Sequence, residues 1–340
     1  MKIIFMGTPD FAVEILDALL EAGHEISLVV TQPDKPRGRK KLLTPPEVKQ
    51  YATEHGIEVF QPAKIRRAEA VARLAQYPAD VAVVAAFGQI LPEEILKMPR
   101  LGCVNVHASL LPKYRGAAPI QWAVLNGDAT SGVTTMQMGV GLDDGDILEQ
   151  EEIPLDPHET GASLFARLAA VSRGLIVRTL EDLDAGRIQP RPQDPGLVSH
   201  VGMIRKDMGR LDFSRPADEL ERMIRGLNSW PSAFTSYQGE TLKIWRAGVL
   251  EDECPSAEDP RDEEDRRGPD AARVPQAIST IGSSAVCPGK IFALTDDAIY
   301  VKCGRGLLRI EELQKAGKRM MSAADFLRGH RMEVGQSLGQ

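Results

Sequence analysis

Residues 103 to 109 read C-V-N-V-H-A-S. Side chains on a strand point to alternate faces, so an extended segment here puts Asn105, His107 and Ser109 on one face and Val104, Val106 and Ala108 on the other. An amide can donate to a developing oxyanion, and an imidazole can move a proton near neutral pH. Alternate strand residues lie about 7 Å apart, close enough to flank one substrate atom. A lone buried histidine is more often a satisfied structural group. Three polar residues in strict alternation shift the balance towards one wall of a site, with a satisfied polar cluster at the sheet end as the alternative that the rest of the chain must decide.

A carboxylate partner is available in Gly139–Asp146, G-V-G-L-D-D-G-D, where Asp143, Asp144 and Asp146 sit in a glycine-rich loop. The bland reading is a solvated turn, and the spacing of a calcium loop is absent. The other reading is an aspartate that orients His107 and stabilises its charged form. No enzyme nucleophile emerges. Cys103 lies about 13 Å along the strand from His107, beyond hydrogen-bond reach, and no G-x-S-x-G elbow occurs. The histidines at 24, 55, 107, 158, 200 and 330 show no metal-ligand spacing, nor do the cysteines at 103, 254, 287 and 303, so no metal is expected. An amide, an imidazole and a carboxylate without a nucleophile suit acyl transfer in which the substrate amine itself attacks.

Two further segments could meet phosphate. Gly7-Thr8-Pro9-Asp10 follows a strand and opens a helix, with Thr8 as cap and Pro9 at the first position. It lacks both glycine-rich nucleotide patterns and reads as a tight turn. Lys35-Pro36-Arg37-Gly38-Arg39-Lys40-Lys41 places five cations in seven residues. Such runs are usually solvated surface. On the rim where a ligand should sit, this one favours phosphate contact.

These residues must be positioned by a fold. Strands are expected at Lys2–Gly7, Glu25–Thr31, Ile57–Phe60, Asp80–Phe87, Cys103–Ala108 and Val133–Met138, separated by helical stretches near 10–23, 45–55, 64–76 and 117–126. Strand–helix alternation predicts a Rossmann-like, mostly parallel α/β sheet with helices on both faces, closed by a long helix near 162–183. In such sheets ligands bind beyond the carboxyl ends of the strands, where His107, Gly7 and Phe87-Gly88 fall. Residues 1–186 would form this domain, and the prolines of 187–206 read as a linker. Residues 207–340 carry a helix from about Asp218 to Gly226 and closely spaced strands: a hairpin around Gln238-Gly239, then Ile291–Leu294, Ala298–Cys303 and Leu307–Ile310. That spacing predicts a small antiparallel OB-like β-barrel, with a last helix capped near Ser322. An acidic stretch at about 251–285 has too few apolar residues to bury and reads as a mobile surface insertion.

The bulk properties set outer limits. With 340 residues and 43% hydrophobic content the chain can build about two proper cores. The strand at residue 2 leaves no room for a leader, no run is long enough to span a bilayer, and the cysteines suit a reducing compartment, so a cytoplasmic setting is expected. A net charge of −7 argues against gross nonspecific nucleic-acid binding but not against a local basic patch.

The motifs N-V-H-A-S-L-L-P at 105–112, R-G-A-A-P at 115–119 and G-L-D-D-G-D at 141–146 resemble the folate-dependent formyltransferases, and F-M-G-T-P-D-F-A at 5–12 and N-S-W-P-S-A-F-T at 228–235 extend the likeness over nearly the whole chain. The resemblance implies transfer of a formyl group from 10-formyltetrahydrofolate, as co-substrate, to the methionyl amine of initiator tRNA. It implies Asn105, His107 and Asp143 as the catalytic trio, Asp143 being the first aspartate of the family's G-L-D-x-G-D. It also implies that Ser109, Leu110, Leu111 and Pro112, with Phe87, Gly88, Gln89, Ile90 and Leu91, hold the folate. Lys35, Arg37, Arg39, Lys40 and Lys41 would contact the tRNA, and the second domain would grip it. The resemblance does not imply an oligomeric state, and a monomer is expected. The basic loop reads G-R-K-K, one residue shorter than the family's usual form, and the acidic insertion has no counterpart in it. Two rival readings remain at this stage: the same chemistry on a small amine or on water, and an RNA-binding module with a silent site. The basic loop weighs against the first and the intact trio against the second.

Overall fold

The structure, a computed structural model, describes residues 1–38, 42–251 and 286–339. The chain divides into two compact units, residues 1–123 with 128–203, and residues 124–127 with 204–340. The acidic insertion therefore lies outside the described residues almost entirely.

The first unit is built in chain order from β1 (Lys2–Gly7), α1 (Asp10–Glu21), β2 (Glu25–Val30), β3 (Lys35–Arg37), β4 (Leu42–Thr44), α2 (Glu47–Glu54), β5 (Val59–Phe60), α3 (Ala68–Leu74), β6 (Val81–Ala85), α4 (Glu93–Leu96), β7 (Cys103–His107), β8 (Arg115–Gly116), α5 (Pro119–Asn126), whose last turn passes into the second unit, β9 (Thr130–Gln137), β10 (Ile147–Pro154), α6 (Gly161–Asp184) and β11 (His200–Val201). Seven strands form one sheet in the order β10-β9-β7-β6-β1-β2-β5. β5, β2, β1, β6 and β7 are mutually parallel, and β9 and β10 continue the sheet antiparallel. The parallel strands are buried on both faces, which is why β1 and β6 read as unbroken apolar runs. Strand order reverses between β1 and β6, so the crevice beyond these strands and β7 is where a ligand of such a sheet would lie.

α1 and α6 pack together and cover one face. α6 is started by Thr160, whose side chain accepts the Ser163 N–H. On the other face Ile65, Ala70 and Leu74 from around α3 and Ile95 and Leu96 from α4 join Ile4, Met6, Val84, Phe87, Leu91 and Cys103 in one apolar cluster. Gly7 is required by the close approach of α1: a Cβ there would lie 2.6 Å from that of Ala12 and 3.1 Å from the Ala85 carbonyl. The expected Thr8 cap does not form. Pro9 is the cap residue, and the Thr8 hydroxyl instead donates to the Phe87 carbonyl at 3.1 Å, tying the two loops at the switch point together.

The second unit contains α7 (Ala217–Gly226), β12 (Ala233–Tyr237), β13 (Glu240–Leu250), β14 (Ile291–Leu294), β15 (Ile299–Lys302), β16 (Leu307–Lys315), β17 (Met321–Ser322) and α8 (Ala323–Gly329). The β12–β13 hairpin turns at Gln238 (φ 52°) and Gly239 (φ 77°), both left-handed, as a two-residue hairpin turn requires. Its strands run in the order β12-β13-β16-β15-β14, with β17 paired to β16, and all are antiparallel. The C-terminal segment closes the sheet round. Gly335, Gln336 and Leu338 exchange backbone hydrogen bonds with Gly289 and Ile291 at one edge, and the Gly339 N–H donates to Ser236 at the other. Among the described residues, no helix is long and apolar enough to cross a membrane.

Candidate active site

β7 places Asn105 and His107 on one face, two positions apart, and the strand ends at His107 rather than at Ala108. Both residues are 7% exposed. Beyond the strand the Ser109 N–H turns back to the His107 carbonyl, and the Ser109 hydroxyl donates to the Lys113 carbonyl at 2.6 Å. The chain then reaches Tyr114, at φ 63°, whose carbonyl oxygen lies 2.9 Å from Nε2 of His107. A carbonyl only accepts, so Nε2 carries the proton there. The neutral ring therefore presents Nδ1 as its basic nitrogen.

Tyr114 is pinned on three sides. Its N–H donates to Oγ of Ser199 at 2.9 Å, its hydroxyl donates to Asp128 at 2.8 Å, and the Lys113 ammonium, paired with the same carboxylate, lies over its ring.

The 139–146 loop folds back over this face. Oδ2 of Asp143 accepts the Gly116 N–H at 2.8 Å and lies 3.9 Å from Nδ1 of His107. This is a charge contact and not a hydrogen bond, so the imidazole is oriented by the Tyr114 carbonyl, while Asp143 faces the nitrogen that can gain a proton. Asp144 does not compete for that place. It turns back on its own loop, so that a Cβ at Gly139 or Gly141 would meet its carboxylate at 2.6 or 2.2 Å. Among the described residues the Asn105 side chain has no hydrogen-bond partner, which leaves its N–H groups available. Cys103 is sealed in the core, and burial pushes its thiol up to about 12, so it stays protonated and unreactive at neutral pH.

The other expected residues separate into groups. The side chains of Phe87 and Leu91 belong to the apolar cluster under the sheet, and Gln89 anchors its loop through the Ile65 N–H and the Pro62 carbonyl. The Phe87 carbonyl accepts from Thr8 and Gln32, Gly88 has φ 79°, and Ile90 is exposed. Leu111 packs against Met136 and Ile147, Leu110 lies against Gly132, and Pro112 accepts the Ser199 N–H on its carbonyl. The turn from Ser109 to Leu111 is held by Thr134, fully buried, which donates to the Ser109 carbonyl, accepts from Leu111 N–H and is met by Gln150. A planar ligand near these loops would therefore meet mostly backbone groups. Lys35 and Arg37 lie on β3, which pairs with β4 as a short hairpin rather than a loop; the preceding Asp34 has its carboxylate held low by hydrogen bonds from Gln61 and Lys49. Arg39, Lys40 and Lys41 fall outside the described residues.

Sequence reasoning missed Gln193 and Ser199. They lie in the proline-rich stretch read as a linker, yet Arg191 bridges Ile147 and β11 pairs with β8. Isolated polar residues between prolines carry no periodic signal that could have announced this.

Comparison with known proteins agrees with this architecture. The formyl transferase family profile matches residues 1–180, and the profile of the formyl transferase C-terminal domain matches residues 203–331. The chain is 49% identical to the methionyl-tRNA formyltransferase of Lachnospira eligens, over 100% of both chains. It is 47% identical to that of Agathobacter rectalis, over 98% of both. The crystal structure of WlaRD, a sugar 3N-formyl transferase obtained with dTDP and 5-N-formyl-THF, shares the fold at a TM-score of 0.58 and 17% identity, covering 94% of this chain and 99% of that one.

Proposed function

The chain belongs to the formyl transferase family and moves a formyl group to methionyl initiator tRNA, and from that premise we propose that Asn105, His107 and Asp143 carry the transfer, with a 10-formyl tetrahydrofolate as donor. The observation that carries this reading is the imidazole. Its Nε2 proton is committed to the Tyr114 carbonyl, and its Nδ1 is left basic 3.9 Å from a carboxylate, beside an unpaired amide and without a nucleophile of the enzyme's own.

The donor, when bound, supplies an activated formyl carbon. The methionyl amine attacks that carbon, forming the new C–N bond as the bond to the folate nitrogen breaks. Asn105 donates to the formyl oxygen as negative charge develops there, an effect that is often the largest single catalytic contribution. Nδ1 of His107 takes the proton the amine must lose and returns it to the departing nitrogen, so the protons balance over the cycle. Asp143 stabilises the transient imidazolium through its charge. The loops at 87–91 and 109–112 hold the donor, chiefly through backbone groups. The basic run at 35–41 and the second unit hold the tRNA in a cytoplasmic setting.

The test mixes purified protein, 10-formyltetrahydrofolate and methionyl initiator tRNA, with methionyl elongator tRNA as control. Selective formylation of the initiator is the expected outcome. Consumption of the donor without formylated tRNA would move the acceptor to a small amine or water.

A further inference from the structure

Asp143 occupies the left-handed region, φ 48°, in a loop that carries glycines at 139, 141 and 145. What fixes it comes from a distant part of the same unit. Nε2 of Gln193 donates to the Asp143 carbonyl at 2.9 Å and to the Gly145 carbonyl at 2.7 Å. Oε1 of Gln193 accepts from Nε and Nη2 of Arg115 at 3.0 and 2.8 Å. Carbonyls only accept and a guanidinium only donates, so the partners fix the orientation of the amide and use both its donors and both its lone pairs. The residue after Arg115 is Gly116, whose N–H holds Oδ2 of Asp143. The contacts close a ring: from the Asp143 backbone to Gln193, to Arg115, to Gly116 and back to the Asp143 carboxylate. The carboxylate and the backbone that carries it are thus tied to one short platform, β8.

We propose that Gln193 is a positioning residue for the transfer, holding the Asp143 carboxylate against Nδ1 of His107 by clamping the loop backbone to Arg115. The inference rests on the reading of Asp143 as the charge partner of His107. Gln193→Glu is the discriminating substitution. It keeps the size and the acceptor for Arg115, but turns a carboxylate oxygen towards two carbonyls that need a donor. Gln193→Met, which removes the hydrogen bonds without adding charge, guards against a folding defect.

Steady-state kinetics on the full chain, alone and in an Asp143→Asn background, tests the clamp, with thermal melts as the folding control. Gln193→Glu is expected to lower kcat by about 10- to 100-fold, the usual range for lost support of a catalytic group, with each KM within about twofold. Gln193→Met should follow in the same direction. In the Asp143→Asn background neither should cost anything further, because a residue that acts through Asp143 has nothing left to position. Equal losses in both backgrounds, or an unchanged kcat beside an impaired Asp143→Asn, would overturn the clamp alone. An active Asp143→Asn would overturn the reading of Asp143, and the clamp with it.

Discussion

At the scale of single residues the site turns on which atoms are already committed. The His107 ring cannot flip without giving up the Tyr114 carbonyl, so only Nδ1 is free to exchange a proton. His107→Ala is therefore expected to abolish turnover while leaving folate binding, measured by fluorescence or calorimetry, largely intact. Parallel loss of both would return the histidine to a structural role. Asn105→Ala should lower kcat by about 100- to 1,000-fold, the range seen when one oxyanion donor is removed, with little change in KM. That these two residues share one face was legible in the sequence, because side chains two apart on a strand point the same way. The choice among Asp143, Asp144 and Asp146 was not legible from spacing, since it depends on Asp144 turning back over Gly139 and Gly141 and on the Gly116 N–H, neither of which has a local sequence signal.

At the scale of elements, the 139–146 loop is shaped by unequal glycines. A Cβ at Gly145 would lie 1.8 Å from the Gln137 carbonyl oxygen and 2.9 Å from the Gly139 nitrogen, so backbone would have to move. At Gly141 the obstacle is the exposed Asp144 carboxylate, which can swing into solvent. Gly145→Ala is thus expected to cost about 1–3 kcal/mol of stability and to displace Asp143, with a matching fall in kcat, whereas Gly141→Ala should be nearly silent in both. Equal effects in denaturant titrations and rate assays would mean that the loop is not held from its Gly145 end. The core strands were visible in advance because both their faces are apolar. β10 was not, because it is an edge strand whose sequence, I-L-E-Q-E-E-I-P, carries three glutamates that discourage pairing with other chains and hide the strand from hydrophobic periodicity. The strap from Arg191 to Val201 escaped for a related reason. Its prolines look like linker, while the N–H groups and side chains between them do the pairing.

At the scale of the whole molecule, the charge raises a separate question. A chain of net charge −7 must attract a polyanion through a local concentration of cations, not through its overall field. The run from Lys35 to Lys41 is such a concentration, and its flanks are fixed by the β3–β4 hairpin. Affinity for tRNA should then fall steeply with salt while affinity for the folate does not, because only phosphate contacts release counterions. Arg39→Ala is expected to weaken tRNA binding and to flatten the slope of log affinity against log salt by about 0.7 to 0.9, the share of one phosphate contact, with kcat at saturating tRNA unchanged. Binding isotherms over a range of potassium chloride concentrations measure that slope directly. A weaker variant with the parental slope would mean that Arg39 shapes the hairpin rather than touching phosphate. Parental affinity and slope together would leave the cations of this run as solvated surface and shift the search for the tRNA contact to the second unit.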